Sequence, residues 1–331
     1  MSVAEPAESA VATAVTAHPE RPALLPGEPE AIFIGGVPRS GTTLMRMVLL
    51  KHSRVAIADE NHFLGHPWPW LDGSWSPGRV GPLATDADVR RLVDRIYSEG
   101  FQRGTWFRGQ SNLWRWTARR VPRDDLERRL LAGERSPRGV FRVLMEAYAD
   151  SRRRAVIGEK TPAHFRHADT LLDWFPDARV IHMIRDPRAV YTSELKRRTA
   201  IPDTLPYRLL ARVPPALRAM VLVQVARTWA EAVNHHRRNA RRHPDRYRLV
   251  RFEDLVREPE AEVAAVCRFL GVAFEPAMLQ QKVVSKGDRI GEVGFDAGAA
   301  DRWQQAITPR DRRWLERFLG RRIDELGYPR P

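Results

Sequence analysis

Short solid runs of apolar residues alternate along this chain with longer stretches in which apolar positions recur at helical spacing. The solid runs are 31–34, 55–58, 155–158, 179–184 and 247–252. Each is brief, rich in β-branched residues and closed by polar or turn-forming residues, the pattern of strands buried on both faces. After the first run, Leu44, Met47, Val48 and Leu50 form one apolar face. Residues 124–152 read as helical, with Leu126, Leu130, Leu131, Phe141, Leu144, Met145 and Tyr148 inward. Further helices are expected over 164–175 (closed by Pro176), about 218–242, 259–270 and around Trp314 and Phe318. Residues 199–217, interrupted by Pro202, Pro206, Pro214 and Pro215, predict a loop or small lid, and Gly287, Gly291, Gly294 and Gly298 mark another loop. Strands alternating with helices give an α/β fold: a three-layer sandwich, a central parallel β-sheet flanked by helices. The body, 31–331, reads as a single domain without internal repeats. About 64–150 forms a helical and loop insertion that helps to shape an acceptor site. It holds Trp68, Trp70, Trp75, Trp106, Trp114 and Trp116, for which core packing is favoured over pocket lining.

The first strand runs into Gly35-Gly36-Val37-Pro38-Arg39-Ser40-Gly41-Thr42-Thr43-Leu44. A strand, a glycine-bounded loop and a helix starting at the loop's end turn backbone N–H groups inward, with the positive end of a helix behind them. That concavity suits a phosphate. The spacing Gly36-x4-Gly41-Thr42-Thr43 overlays the nucleotide-binding pattern G-x-x-x-x-G-K-[ST] and makes the fold P-loop-like, with one departure. Thr42 stands where the lysine belongs, and the nearby cation is Arg39. The loop keeps a phosphate cradle but lacks the lysine that serves β/γ-phosphates in triphosphate chemistry.

Charge narrows the ligand. Formal net charge is +14. Residues 1–30 carry Glu5, Glu8, Glu20, Glu28 and Glu30 against Arg21 alone, and read as a disordered acidic tail. The body is therefore at +18, and expects an anionic ligand. No stretch approaches the roughly 18 apolar residues that span a membrane, so no membrane is expected. The single cysteine, Cys267, lies in the pattern Val263, Val266, Phe269, Leu270 and reads as a buried thiol; a cytoplasmic setting is the default.

A second cluster follows the third core strand: Arg185-Asp186-Pro187, with Ser193 eight residues past Arg185. Pro187 suits a first helical turn, which puts Ser193 about two turns along, so a strand-tip guanidinium and a hydroxyl can clamp one phosphate. A cation at that tip, where nucleotide hydrolases hold magnesium with an aspartate, points away from a metal. Two phosphate sites and no metal fit 3′-phosphoadenosine 5′-phosphosulfate.

With these residues in view, the chain resembles the sulfotransferase family. Residues 38–44, P-R-S-G-T-T-L, look like the family's 5′-phosphosulfate loop in the form with arginine found in tyrosylprotein sulfotransferases. Arg185 and Ser193 resemble its 3′-phosphate pair. E-K-T-P-A-H-F at 159–165 and E-N-H-F at 60–63 are similar to segments of heparan-type carbohydrate sulfotransferases. The resemblance covers residues 31–65 and 155–195, and more loosely R-F-E-D-L at 251–255. It implies the phosphosulfate as co-substrate, bound by Arg39, Ser40, Gly41, Thr42, Thr43, Leu44, Arg185 and Ser193, with Ser285 and Lys286 in a closing loop. It also implies Glu60 as catalytic base, with Lys160 and Arg39 on the leaving oxygen and His62 orienting or tuning Glu60. The cytosolic small-molecule enzymes place a histidine base where this chain has Pro162, a departure that moves the role to Glu60.

Bland readings compete. Glu60 alone would be a solvated or capping carboxylate, Lys160 a surface lysine, and His164 is a rival base. His182, in mid-strand, reads as a core histidine. The basic run 235–243 reads as the solvated end of a helix, where cations suit the dipole, so no nucleic-acid partner is expected. The expected acceptor is a small molecule, a glycan or a tyrosyl side chain, taking sulfate on a hydroxyl in preference to an amine. The rival classes are a P-loop kinase or hydrolase and a non-catalytic basic module for nucleic acid or acidic glycan.

Overall fold

The computed structural model describes residues 21–64, 80–98, 113–202, 205–282 and 292–328. Its centre is a four-stranded parallel sheet in the order β2-β1-β3-β4: β1 is Ala31–Gly36, β2 Ile157–Lys160, β3 Arg179–Ile184 and β4 Tyr247–Arg251. Every residue of β1 is buried. Side chains alternate across it. Ala31 and Phe33 face one layer, where Phe33 packs on Phe141 and Phe175; Ile32 and Ile34 face the other.

Helices cover both faces. On the Phe33 side lie α2 (Asp86–Tyr97), α3 (Leu113–Arg120), α4 (Arg123–Ala132), α5 (Pro137–Asp150) and α6 (Ala168–Trp174). On the other side lie α1 (Thr42–Leu49), α10 (Phe252–Arg257) and α11 (Pro259–Leu270). A third apolar cluster joins α7 (Pro187–Ala200), α9 (Pro214–Arg242), α13 (Pro309–Leu319) and α14 (Arg321–Glu325) beside the β3 tip. The short helices α8 (Leu205–Leu210) and α12 (Trp303–Ala306) complete this side.

Several expectations shift. Residues 55–58 run along β2 through two isolated parallel bridges, Val55 to Val156 and Ala58 to Glu159, not a full ladder. The helix expected over 124–152 is two helices. Gly133 ends α4, and Ser136 caps α5 by accepting the Gly139 N–H at 3.1 Å, with Pro137 at the first helical position. The expected 199–217 loop is largely helical, because Pro214 and Pro215 begin α9, where a missing N–H costs nothing. Most of the insertion that can be described is a structural layer: α5 packs on the sheet, and Trp116 lies edge-on to Tyr148 at 5.0 Å. Trp68, Trp70, Trp75 and Trp106 lie outside the described residues.

The acidic tail also divides. Residues 21–30 lie on the body, where Glu28 pairs with Arg54 and Glu30 with Arg142; residues 1–20 lie outside the described residues. The basic helix end is not simply solvated. His236 stacks on Tyr247, Asn239 is buried and His243 binds Asp169 at 2.8 Å. His182 is a core histidine whose Nδ1 meets the Tyr247 hydroxyl, and burial brings its pKa down to about 3. Cys267 is buried beside Met278, its thiol pushed up to about 11 by burial.

Gly36 sets the exit of β1. Its φ is +148°, and a Cβ there would lie 2.2 Å from the Met183 carbonyl oxygen of β3. Gly36→Ala should therefore lower stability by about 2 kcal/mol or more, read from the urea midpoint. An unchanged midpoint would mean that the β1–β3 spacing can relax.

Candidate active site

Parallel strands all end at the same sheet edge, and the chemistry-bearing residues follow those ends. From β1 comes the 37–41 loop, from β2 Lys160, from β3 Arg185 and from β4 Phe252 and Glu253. In open α/β sheets ligands bind beyond the carboxyl ends of the strands.

The loop is held by its backbone. Arg39 has φ +75° and Gly41 φ +90°; a Cβ on Gly41 would meet the Phe252 ring at 2.6 Å. The Ser40 N–H donates to the Val37 carbonyl at 3.0 Å, so Ser40 does not offer its N–H to a ligand. Its hydroxyl is fully buried and has no hydrogen-bond partner among the described residues. Helix α1 then starts without a side-chain cap, which leaves its first-turn N–H groups, from Thr42 to Leu44, pointing out of the helix end. The Leu44 side chain is core, so only its backbone can serve a ligand.

Two guanidinium groups meet above this loop. Arg39 Nε donates to Ser193 Oγ at 3.0 Å. Arg185 donates to the Arg39 carbonyl at 3.3 Å and to the Ala299 carbonyl at 2.5 Å, and lies 4.2 Å above the Phe252 ring. Neither arginine forms an ion pair with a carboxylate among the described residues. Burial lowers the pKa of Arg185, and Arg39 lowers it further, while Glu253 opposes. Arg39 sits at the surface, yet its hemmed guanidinium is also lowered by partial burial. Two cations without an ion-paired carboxylate among the described residues, an orphaned buried hydroxyl and an uncapped helix end fit a phosphate-bearing ligand.

One strand over, Lys160 is buried, with Nζ 2.5 Å from Glu60 Oε1 and 3.2 Å from Asp59 Oδ1. His62 Nε2 lies 3.4 Å from Glu60 Oε2. Burial pushes the Glu60 pKa up, but Lys160 and His62 outweigh it and hold the carboxyl at about 2. Lys160 is correspondingly raised, its own burial being outweighed by Glu60 and Asp59. The backbone behind these groups is fixed twice. Asn61 Oδ1 accepts the Phe63 N–H at 2.8 Å, closing a turn that holds His62 at φ +50°. The Asn61 N–H in turn donates to buried Glu159 at 3.0 Å. Non-glycine residues at positive φ gather at functional sites, and Arg39 and His62 both do here. His164 lies behind this layer, with Nδ1 2.9 Å from Glu159 and its ring 99% buried, away from the edge where Glu60 stands.

Several supporting residues escape sequence reasoning. The Arg185 peptide is gripped on both sides: Trp229 Nε1 donates to its carbonyl at 2.9 Å, and the following N–H, of Asp186, donates to Glu253 at 3.0 Å. Arg46 of α1 donates to the carbonyls of Ile57 and Ala58 and to the Tyr148 hydroxyl. The signal for Arg46 was a lone arginine within an apolar helix; nothing local marked Trp229 or Ala299. Ser285 and Lys286 lie outside the described residues. Among the described residues no group of three or more His, Cys, Asp or Glu can hold a metal ion.

A family model described as the sulfotransferase family matches residues 29–276. An omega-hydroxy-beta-dihydromenaquinone-9 sulfotransferase of Mycobacterium tuberculosis is 27% identical over 196 residues, 58% of this chain and 46% of that protein. A protein-tyrosine sulfotransferase of Drosophila melanogaster is 25% identical over 255 residues, 76% of this chain and 40% of that protein. The chain thus spans about half or less of the length of these two relatives. The solved sulfotransferase domain from the curacin biosynthetic pathway superposes with a TM-score of 0.52 at 22% identity, covering 92% of this chain and 99% of that one. That likeness is one of fold.

The Lys160–Glu60 contact has a titration signature. Lys160→Ala removes the largest influence holding Glu60 down, so its pKa should climb from about 2 to 4.5 or above, measured by carboxyl NMR. A depressed carboxyl stabilises the fold above its unfolded pKa and loses that contribution as pH falls through the folded value. The native protein should therefore lose this stability between pH 4.5 and 2, and the variant should not.

Proposed function

The chain belongs to the sulfotransferase family, and we propose that it moves a sulfuryl group from 3′-phosphoadenosine 5′-phosphosulfate to an acceptor hydroxyl, releasing adenosine 3′,5′-bisphosphate. The observation that carries this reading is the pair of arginines, Arg39 bonded to Ser193 and Arg185 bonded to the Arg39 carbonyl, beside an uncapped helix end, neither ion-paired with a carboxylate among the described residues. In this reading Arg185 and Ser193 take the 3′-phosphate, while Ser40, the first-turn N–H groups of α1 and Arg39 take the 5′-phosphosulfate. When bound, the donor supplies the transferable sulfuryl group and a phosphate leaving group.

Sulfuryl transfer, like phosphoryl transfer, passes through a loose in-line transition state with charge building on the leaving oxygen. Lys160 answers that charge. In the ligand-free protein its ammonium is engaged by Glu60 and Asp59. Turning toward the leaving oxygen relaxes its hold on Glu60, whose burial then raises the carboxylate's basicity just as a proton must leave the acceptor hydroxyl. His62, 3.4 Å from the other carboxylate oxygen, keeps Glu60 oriented through the exchange. One lysine thereby links leaving-group stabilisation to base activation.

The acceptor belongs to the small-molecule, glycan or tyrosyl classes, in keeping with relatives that include tyrosyl and menaquinone-type enzymes. A reducing, cytoplasmic setting is part of the same reading, supported by the single buried cysteine.

Calorimetry with adenosine 3′,5′-bisphosphate and with ATP-Mg tests the donor site. The bisphosphate should bind more tightly, and Arg39→Ala or Arg185→Ala should each weaken it about 10- to 100-fold through loss of a charged hydrogen bond. Preference for ATP-Mg would replace this reading with a P-loop kinase or hydrolase. In turnover assays Lys160→Ala should lower kcat by about 10²–10³.

A further inference from the structure

Helices α7 and α9 leave the donor site together and carry a feature that sulfuryl transfer does not use. Helix α7 starts at Pro187, beside Arg185, and α9 returns to the same place, where Trp229 binds the Arg185 carbonyl. The two pack side by side. At 1.5 Å per residue, both Ala200 and Pro214 lie roughly 20 Å of helix from that point. Helix α8 connects their far ends, pinned by Arg198 over the Tyr207 ring at 3.9 Å.

The far end is apolar on its outside. Ile201, Leu209 and Val213 are each more than half exposed, and Val223 further along α9 is 43% exposed. Exposed large aliphatic side chains are uncommon enough on a folded surface that a cluster marks an interaction site. Its surroundings are strongly basic. From Ile201 to Ala230 the sequence contains four arginines against one acid, Asp203, in a chain with 41 acidic residues. Of these, Arg218 is engaged by Asp311 at 2.5 Å and Arg227 lies toward the donor-site end of α9, whereas Arg208 and Arg212 at the tip are exposed, as is Lys196 at its base.

We propose that this helical tip docks on the surface of an anionic lipid bilayer, with Leu209 and Val213 entering the headgroup boundary and Arg208 and Arg212 meeting lipid phosphates. The pairing of aliphatic side chains with flanking cations that outnumber the acids is what an interfacial element needs: apolar burial plus attraction to anionic headgroups. An acidic peptide or glycan would be served by the arginines alone and leaves the exposed aliphatics unexplained. The absence of a spanning segment does not bear on this, because an interfacial helix lies in the surface plane. The proposal goes beyond the transfer reaction and does not depend on it.

Sedimentation of the full chain with vesicles tests it. Phosphatidylglycerol–phosphatidylcholine vesicles should bind the protein, phosphatidylcholine alone should bind it weakly, and binding should fall with added salt. Leu209→Asp with Val213→Asp should reduce binding at least about tenfold, with unchanged affinity for adenosine 3′,5′-bisphosphate and an unchanged melting temperature. Leu209→Ser with Val213→Ser serves the same purpose if the aspartates unfold the tip. No binding to anionic vesicles overturns the proposal. So does binding that persists undiminished in the apolar variants, which would assign the surface to a polyanion recognised by charge alone.

Discussion

The structure depends on how closely β1 can lie between its neighbours. A Cβ on Gly35 would come within 2.6 Å of the Phe165 backbone nitrogen, and one on Gly36 within 2.2 Å of the Met183 carbonyl oxygen. With no side chain at either position, the turn after β2 and the end of β3 close over the end of β1. Everything chemical follows from that proximity. The phosphate-type loop, Lys160 and Arg185 belong to three different strands, and a parallel sheet aligns their tips only if the central strand is thin where it ends.

The second constraint is electrostatic. The site holds opposite charge patterns a strand apart: on β2 a lysine saturated with carboxylates, on β1 and β3 two arginines whose hydrogen bonds among the described residues go to a hydroxyl and to backbone carbonyls. The first pattern is complete within the protein. The second is not: burial and the nearby Arg39 lower the basicity of Arg185, and burial lowers that of Arg39, a strain that an anion would relieve. In the proposed reaction this asymmetry separates the half that would bind the donor from the half that would handle the acceptor's proton.

Much of this was readable in one dimension. Strand runs ending in Glu-Lys or Arg-Asp name the tips, and glycine spacing names the loop, because both are local patterns of few residue types. Sequence reasoning falters over 199–217, where prolines read as interruptions although Pro206 lies in the first turn of α8 and Pro214 and Pro215 start α9. It also faltered where acids in 21–30 were read as a solvated tail although Arg54 and Arg142 were waiting for them. Trp229, Glu253 and Ala299 were illegible for a different reason. Each acts on the Arg185 segment from 44 or more residues away; Glu253 is marked only by its place in R-F-E-D-L, and nothing in the neighbourhood of Trp229 or Ala299 distinguishes them from core or surface.

Arg46 carries a consequence of its own. It sits one turn into the helix that begins at the donor loop, yet its guanidinium is fastened to the carbonyls of Ile57 and Ala58, two residues before Glu60. Helix α1 and the segment that carries Glu60 are therefore tied together by one side chain. In the proposed reaction an adjustment of α1 to an incoming anion would be felt at that segment, so the two halves of the reaction would share a mechanical register as well as an electrostatic one.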